Sequence, residues 1–273
     1  MTSSLARQAS PEFADLLRGW RKSRKLSQWN LALDAGISQR HLSFLESGRS
    51  APSREMVMLL AGTLELPLRE QNAMLNAAGF AGVFPERSID ATELAHARKA
   101  LSMMIERTAY PALVVDRNWH IMMANDATVR VFSALVDMEK LWTDIGGGAP
   151  NILRATLHPK GFRPFIRNWR EFASWFLHQL TQELAMNPYD FEARALLDEI
   201  RGYPDMPDAN PVAGGGRSWL GLEIELGERR LEFFSMISTF GTPLDVTLQE
   251  IRIETFFPAD TPTEKWLAEL ASA

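Results

Sequence analysis

At 273 residues the chain is longer than an ordinary single domain, so two folding units, each with its own core, are expected. Its 46% hydrophobic and 23% charged residues exclude a wholly disordered or fibrous chain. The absence of cysteine excludes disulfide frameworks, thiolate catalysis and cysteine-built zinc sites, and it fits a reducing cytoplasm.

The net charge of −5 would argue against nucleic acid if it were spread evenly, but it is not. Residues 1–84 carry ten Lys/Arg against seven Asp/Glu, whereas the rest carries 19 against 27, so a weakly basic head precedes an acidic body. The longest apolar runs, MVMLLAG from Met56 and PALVV from Pro111, fall far short of the roughly 20 residues of a membrane span. MTSSLARQAS at the start lacks the charged-then-apolar pattern of a secretion signal. A cytoplasmic protein with no membrane partner is the expectation.

From Pro11, FADLLRGWRKSR puts Phe13, Leu17 and Trp20 on one helical face, with Arg18, Arg21, Lys22 and Arg24 outside it. Ser27 and Ser38 have the chemistry of N-caps for two short helices, and Gly36 between them tolerates the positive φ of a tight turn. Leu31, Ala32, Ala35, Ile37, Leu42 and Leu45 supply the faces that lock this pair. Two further helices are predicted, from Ser53 to Leu64 and from about Leu68 to Ala78.

Gln28, Ala32, Gly36, Ile37, Leu42 and Leu45, followed by FLESGRSAPS, resemble the xenobiotic-response-element family of helix-turn-helix repressors over residues 11 to about 78. The resemblance implies an all-α five-helix head that binds double-stranded DNA. It implies that Gln39 and Arg40 meet base edges with Ser38 and Ser43 nearby, and that Gln28, Arg49 and Arg54 contact phosphates. Arg40 suits guanine and Gln39 suits adenine. Trp29 departs from the polar residue usual at its place, leaving partner packing or a sugar contact open. The competing reading is a helical bundle that binds another protein.

GFAGVFPERSID after Ala78 is rich in Gly and Pro and reads as a boundary. The expected organisation is a DNA-binding domain at 1–80, a linker and the start of a connecting helix at 81–98, and a sensor domain at 99–273. Asp90 is a candidate cap for a helix from Ala91 to about Arg107. Ala112–Val115 and Trp119–Ala124 form a hairpin signal, with Asn125 or Asp126 capping a helix that turns Val129 and Phe132 inward.

Phe165, Trp169, Phe172, Phe176 and Leu180 recur at helical spacing, predicting a helix from near Arg163 to Leu184, and a second follows from Tyr189 to Arg201. Period-two alternation then returns in LGLEIEL from Leu220, in LEFFSMISTF, and in VTLQEIRIETFF from Val246. The glycine triplets at Gly146–Gly148 and Gly214–Gly216 read as loops. The result is an α+β body with a five-stranded antiparallel sheet.

YPALVVDRNWHIMMAN, the NILR stretch with RNWREFASWFLHQL, and the aromatic strand around Phe233 and Phe234 resemble regulators of the MmyB/MltR type, with a PAS-like ligand-binding domain. The resemblance implies a small lipophilic effector, a fatty acid or similar, in place of any resident cofactor. The candidate lining is Phe132, Phe165, Trp169, Phe172, Trp175, Phe176, Phe234 and Met236. Arg154, with Arg163 and Arg167, is a candidate carboxylate anchor, and a core-only role for each aromatic is the alternative.

No enzymatic constellation stands out. His41, His96, His120, His158 and His178 are isolated, and neither a nucleophile elbow nor a phosphate-binding glycine loop is present. Haem or flavin sensing through His120 or His178, or a body serving only protein interaction and dimerisation, are the alternatives to a lipophilic ligand. A homodimer on a palindromic operator is expected, with the direction of any effector response left open.

Overall fold

The computed structural model describes residues 11–146, 148–210 and 219–272. The loops expected at Gly147 and Gly214–Gly216 lie outside the described residues. The chain divides into two compact units: one holds the residues up to Arg87 with 185–189 and 242–249, and the other holds 88–184, 190–241 and 250 onward.

The first unit is built on five helices, α1 (Pro11–Ser23), α2 (Gln28–Asp34), α3 (Gln39–Glu46), α4 (Arg54–Thr63) and α5 (Leu68–Ala77). Serine hydroxyls start three of them. Ser27 accepts from the Asn30 amide at 3.0 Å, Ser38 from that of His41 at 3.1 Å and Ser53 from that of Met56 at 3.2 Å. Each such cap is worth about 1 kcal/mol. Gly36 turns the chain between α2 and α3 at φ +66°, a region closed to most side chains.

Phe13, Leu17 and Trp20 of α1 are fully buried against Leu31, Leu42, Leu45 and Leu60. The two later segments complete this unit. Tyr189 meets Trp20 edge-on at 5.3 Å, and Asp245 pairs with Arg87 at 2.9 Å.

The second unit opens with a 3-10 turn, Thr92–Leu94, leading into α6 (Ala95–Glu106). Asp90, expected as a cap, instead binds Arg98 at 3.0 Å, while the turn starts without a side-chain cap. Strands β1 (Ala112–Val115) and β2 (Ile121–Ala124) follow. Helices α7 (Asp126–Leu135), α8 (Met138–Asp144), α9 (Ile152–Leu157), α10 (Trp169–Met186) and α11 (Phe191–Arg201) come next, then β3 (Leu222–Leu226), β4 (Arg229–Ser238), β5 (Arg252–Pro258) and α13 (Thr261–Ser272), while α12 (Val246–Glu250), between β4 and β5, belongs but for Glu250 to the first unit.

Buried Asn125 pins three of these elements. It caps α7 at the Thr128 amide (2.9 Å), accepts from the Ala112 amide (3.1 Å), and donates to the Ile105 and Tyr110 carbonyls at 2.8 and 2.9 Å. All of its polar capacity is used, which is the condition for burying an amide.

The sheet is five-stranded and antiparallel in the order β2-β1-β5-β4-β3. Its register sets one face to the helical core: Leu113 and Val115 of β1, Leu222 and Ile224 of β3, Leu231 and Phe233 of β4, and Glu254 and Phe256 of β5. Two expected elements differ. The helix expected from Arg163 starts at Trp169, because Pro164 sits in a 3-10 turn and Ile166 bridges to Ile224. The strand expected from Val246 begins as α12, whose Thr247 amide donates to Asp245, and becomes extended only at Arg252.

Candidate nucleic-acid interface and ligand cavity

Gln39 and Arg40 are exposed at the start of α3, because the Ser38 cap fixes the helix there while Leu42 and Leu45 hold its other face in the core. Ser38 spends its hydroxyl on the cap, so its side chain organises the start of α3. The guanidinium of Arg40 lies 5.3 Å from the ring centre of Phe44, and that of Arg49 lies 6.0 Å from the same ring. Phe44, which sequence reasoning missed, thus draws two cations together; its four-residue spacing from Arg40 was the available signal. Arg54 is exposed in the first turn of α4, and Ser43 is half-buried.

Gln28 stands at the start of α2, as expected, with one contact that the sequence did not suggest. Its side-chain amide donates to Glu46 at 2.8 Å, in a cluster where Arg21 binds both Glu46 oxygens, Nε to Oε1 at 2.6 Å and Nη2 to Oε2 at 2.8 Å. Arg18 also donates to the Glu46 carbonyl. Burial alone would raise the Glu46 pKa, but the hydrogen bonds from Arg21 and Gln28 and the charges of Arg21 and Arg18 hold it below the usual carboxylate range. This buried cluster ties α1 and α2 to α3 and sets the attitude of α3. Trp29, 61% exposed, and Leu33, 67% exposed, stand one turn apart on α2.

In the second unit, a cavity with about 50 Å³ of free interior lies between the inner sheet face and α7, α9 and α10. Val131, Phe132 and Leu135 come from α7, Ile152, Leu153 and Thr156 from α9, and Phe172 and Phe176 from α10. Pro111, Phe162 and Ile166 join them, and the sheet contributes Leu222, Ile224, Phe233, Glu254 and Phe256. Of the expected residues, Phe132, Phe172 and Phe176 meet here.

The others stand outside the lining. Phe234 points to the opposite face of the sheet, where it stacks on Phe257 at 5.5 Å, and alternation gives its place to Phe233; Met236, on that same face, is 58% exposed. Phe165 packs at the core margin, Trp175 meets Phe176 edge-on at 4.9 Å, and the Trp169 ring has the guanidinium groups of Arg163 at 3.6 Å and Arg170 at 4.7 Å from its centre.

The carboxylate anchors expected from the sequence have other partners. Arg154 grips Glu199 through Nε at 2.9 Å and Nη2 at 2.7 Å. Arg163 donates to the Pro204 carbonyl at 2.7 Å, and Arg167 lies 3.8 Å from Glu223. His120 is bound to Asp116 at 3.0 Å, and neither it nor His178 lines the cavity.

The first unit is thus a helix-turn-helix fold with an exposed, cation-bearing α3, and the second an α+β fold with an apolar cavity. Residues 17–71 match the helix-turn-helix family, and residues 97–270 match the family described as the MmyB-like transcription regulator ligand binding domain. The chain belongs to this MmyB-like family. It is also similar to RghRB of Bacillus subtilis (strain 168), described as an uncharacterized HTH-type transcriptional regulator, with 35% identity over 82 residues, 30% of this chain. The chain spans 57% of that relative's length. No helix of the described residues is long and apolar enough to cross a membrane.

Proposed function

We propose that the protein is a cytoplasmic, homodimeric regulator that reads a palindromic operator in double-stranded DNA, its affinity set by a small lipophilic effector held in the second unit. Gln39 and Arg40 read base edges in the major groove, with Ser38 and Ser43 beside them. Arg49 and Arg54 bind phosphates, and the Gln28 amide contributes there with its remaining donor capacity. The observation that carries this reading is the exposure of Gln39 and Arg40 at the capped start of α3, on a helix whose attitude the Arg21–Glu46 cluster fixes.

The lipophilic-effector reading, of which a fatty acid is one case, is supported by a cavity whose lining is apolar but for Thr156 and Glu254. About 50 Å³ holds only a few waters. A ligand with a longer chain therefore displaces side chains such as Phe132 and Phe162, whose rings lie 4.7 Å apart. A five-stranded antiparallel sheet whose inner face packs on a helical core supports the PAS-like comparison. An effector acts on DNA only through its differential affinity for two states of the protein.

Selection of binding sites from random duplexes, with and without a lipid extract, tests the proposal. The expected result is enrichment of a two-fold symmetric site whose recovery changes with the extract. Failure to enrich any sequence at low salt overturns the DNA reading, and enrichment indifferent to the extract overturns the effector reading.

A further inference from the structure

Glu254 occupies the middle of β5, paired across the ladder with Leu113 on one side and Ile237 on the other, and it is 5% exposed. It is one of the residues lining the cavity, with Phe256, Phe233 and Ile224. Thr156 is the other polar residue of the lining, and none of the lining side chains is cationic.

The cations nearest in sequence or expectation are committed elsewhere. Arg252, two residues along the same strand face, lies over Trp119 at 5.1 Å and 3.4 Å from Glu183. Arg154 is held by Glu199, and Arg163 by the Pro204 carbonyl. Burial pushes the Glu254 carboxyl up to about 7, with the Ser235 hydrogen bond and the Arg252 charge pulling the other way.

A buried acid is a poor filler for an apolar sheet face, since it costs desolvation that a leucine would not. It is, however, a fitting terminus for an apolar pocket whose occupant brings a donor to it. An amine or a hydroxyl satisfies it. An ionised carboxylate would place a second negative charge beside it, where the one nearby cation, Arg252, is already shared with Glu183.

Resting on the lipophilic-effector reading above, we propose that the cavity takes an apolar ligand whose polar end donates a hydrogen bond to Glu254, an aliphatic amine or alcohol, in preference to an ionised fatty acid. Glu254 is then the residue that sets head-group specificity, while the aromatic lining sets affinity for the chain.

The test uses the full-length protein and three probes of one chain length, octylamine, octanol and octanoate, titrated near neutral pH by calorimetry. The expected result is that the amine and the alcohol each bind roughly tenfold or more tightly than the carboxylate. In Glu254→Gln, an isosteric change, the amine loses roughly tenfold while the alcohol is retained.

A structural role for Glu254 alone would leave the ranking of head groups unmoved, so an unchanged ranking in Glu254→Gln, or octanoate as the tightest probe, overturns the proposal. Val131→Trp, which fills the cavity, is expected to abolish binding of all three. Binding that survives Val131→Trp, or no binding of any probe to the wild type, overturns the cavity reading itself, which separates that failure from a wrong head group.

Discussion

Replacing Glu254 by Gln should make the second unit more stable at high pH while leaving it little changed at low pH. The carboxyl has an ordinary value of 4.5 and is raised by burial to about 7 in the fold. Between these values the folded protein keeps the proton that the unfolded chain has lost, so stability falls as pH rises from the unfolded value. Above the folded value the full penalty applies. At 1.36 kcal/mol per pKa unit it amounts to about 3 kcal/mol, most of which develops between about pH 5 and about pH 8.

The Gln variant lacks this titration, so its stability relative to wild type should climb by roughly that amount across the same interval. Any packing offset from the amide is independent of pH and cancels in the comparison. Urea unfolding followed by tryptophan fluorescence reports the relevant transition, because Trp119, Trp142, Trp169, Trp175, Trp219 and Trp266 all lie in the second unit. Parallel pH curves for the two proteins would refute the argument that burial of Glu254 outweighs the Ser235 hydrogen bond and the Arg252 charge.

Other perturbations probe the first unit and the cavity. Arg21→Ala strips a buried carboxylate of its bidentate partner and should cost about 3–5 kcal/mol in the first unit, read by thermal unfolding. Because the Glu46 pKa is lowered in the fold, the stability it contributes is present above its unfolded value and lost as acid takes the pH down through the folded one. The wild type should therefore lose stability in acid, as calorimetry at falling pH would show.

Arg54→Ala should weaken binding to all duplexes alike and reduce the slope of log affinity against log salt by about 1, measured by fluorescence anisotropy. Phe132→Ala should enlarge the cavity, cost about 3–5 kcal/mol in urea unfolding, and admit longer alkyl chains.

The first unit is legible from sequence because its determinants are local. Ser27, Ser38 and Ser53 lie at the starts of the helices they cap, and Gly36 lies in the turn that needs it. The cavity is less legible because it depends on parity and on distant partners. FFSM in β4 offers two phenylalanines of equal character, and only the pairing of Phe233 with Leu222 and Pro258 decides which of them faces the helices. Arg154 looks like an anchor until Glu199, 45 residues away, is seen to hold it.

Glu254 carries no sequence signal. In IRIETFF the alternation favours Ile251 and Ile253 as the buried set, but both faces of β5 are covered, so Ile253 and Glu254 are each 5% exposed on opposite sides. Gln28 was legible as a residue of the motif but not in its contact, since Glu46 reaches it through tertiary packing.

The proposed DNA reading turns on Arg40, which is held out from the start of α3 to meet a base in duplex DNA. Anisotropy with the selected operator and a scrambled duplex of equal length, for wild type and Arg40→Ala, tests it most directly. A loss of about 1–3 kcal/mol on the operator, little change on the scrambled duplex, and an unaltered melting temperature are expected. Equal affinities of the variant and the wild type for the operator would contradict it.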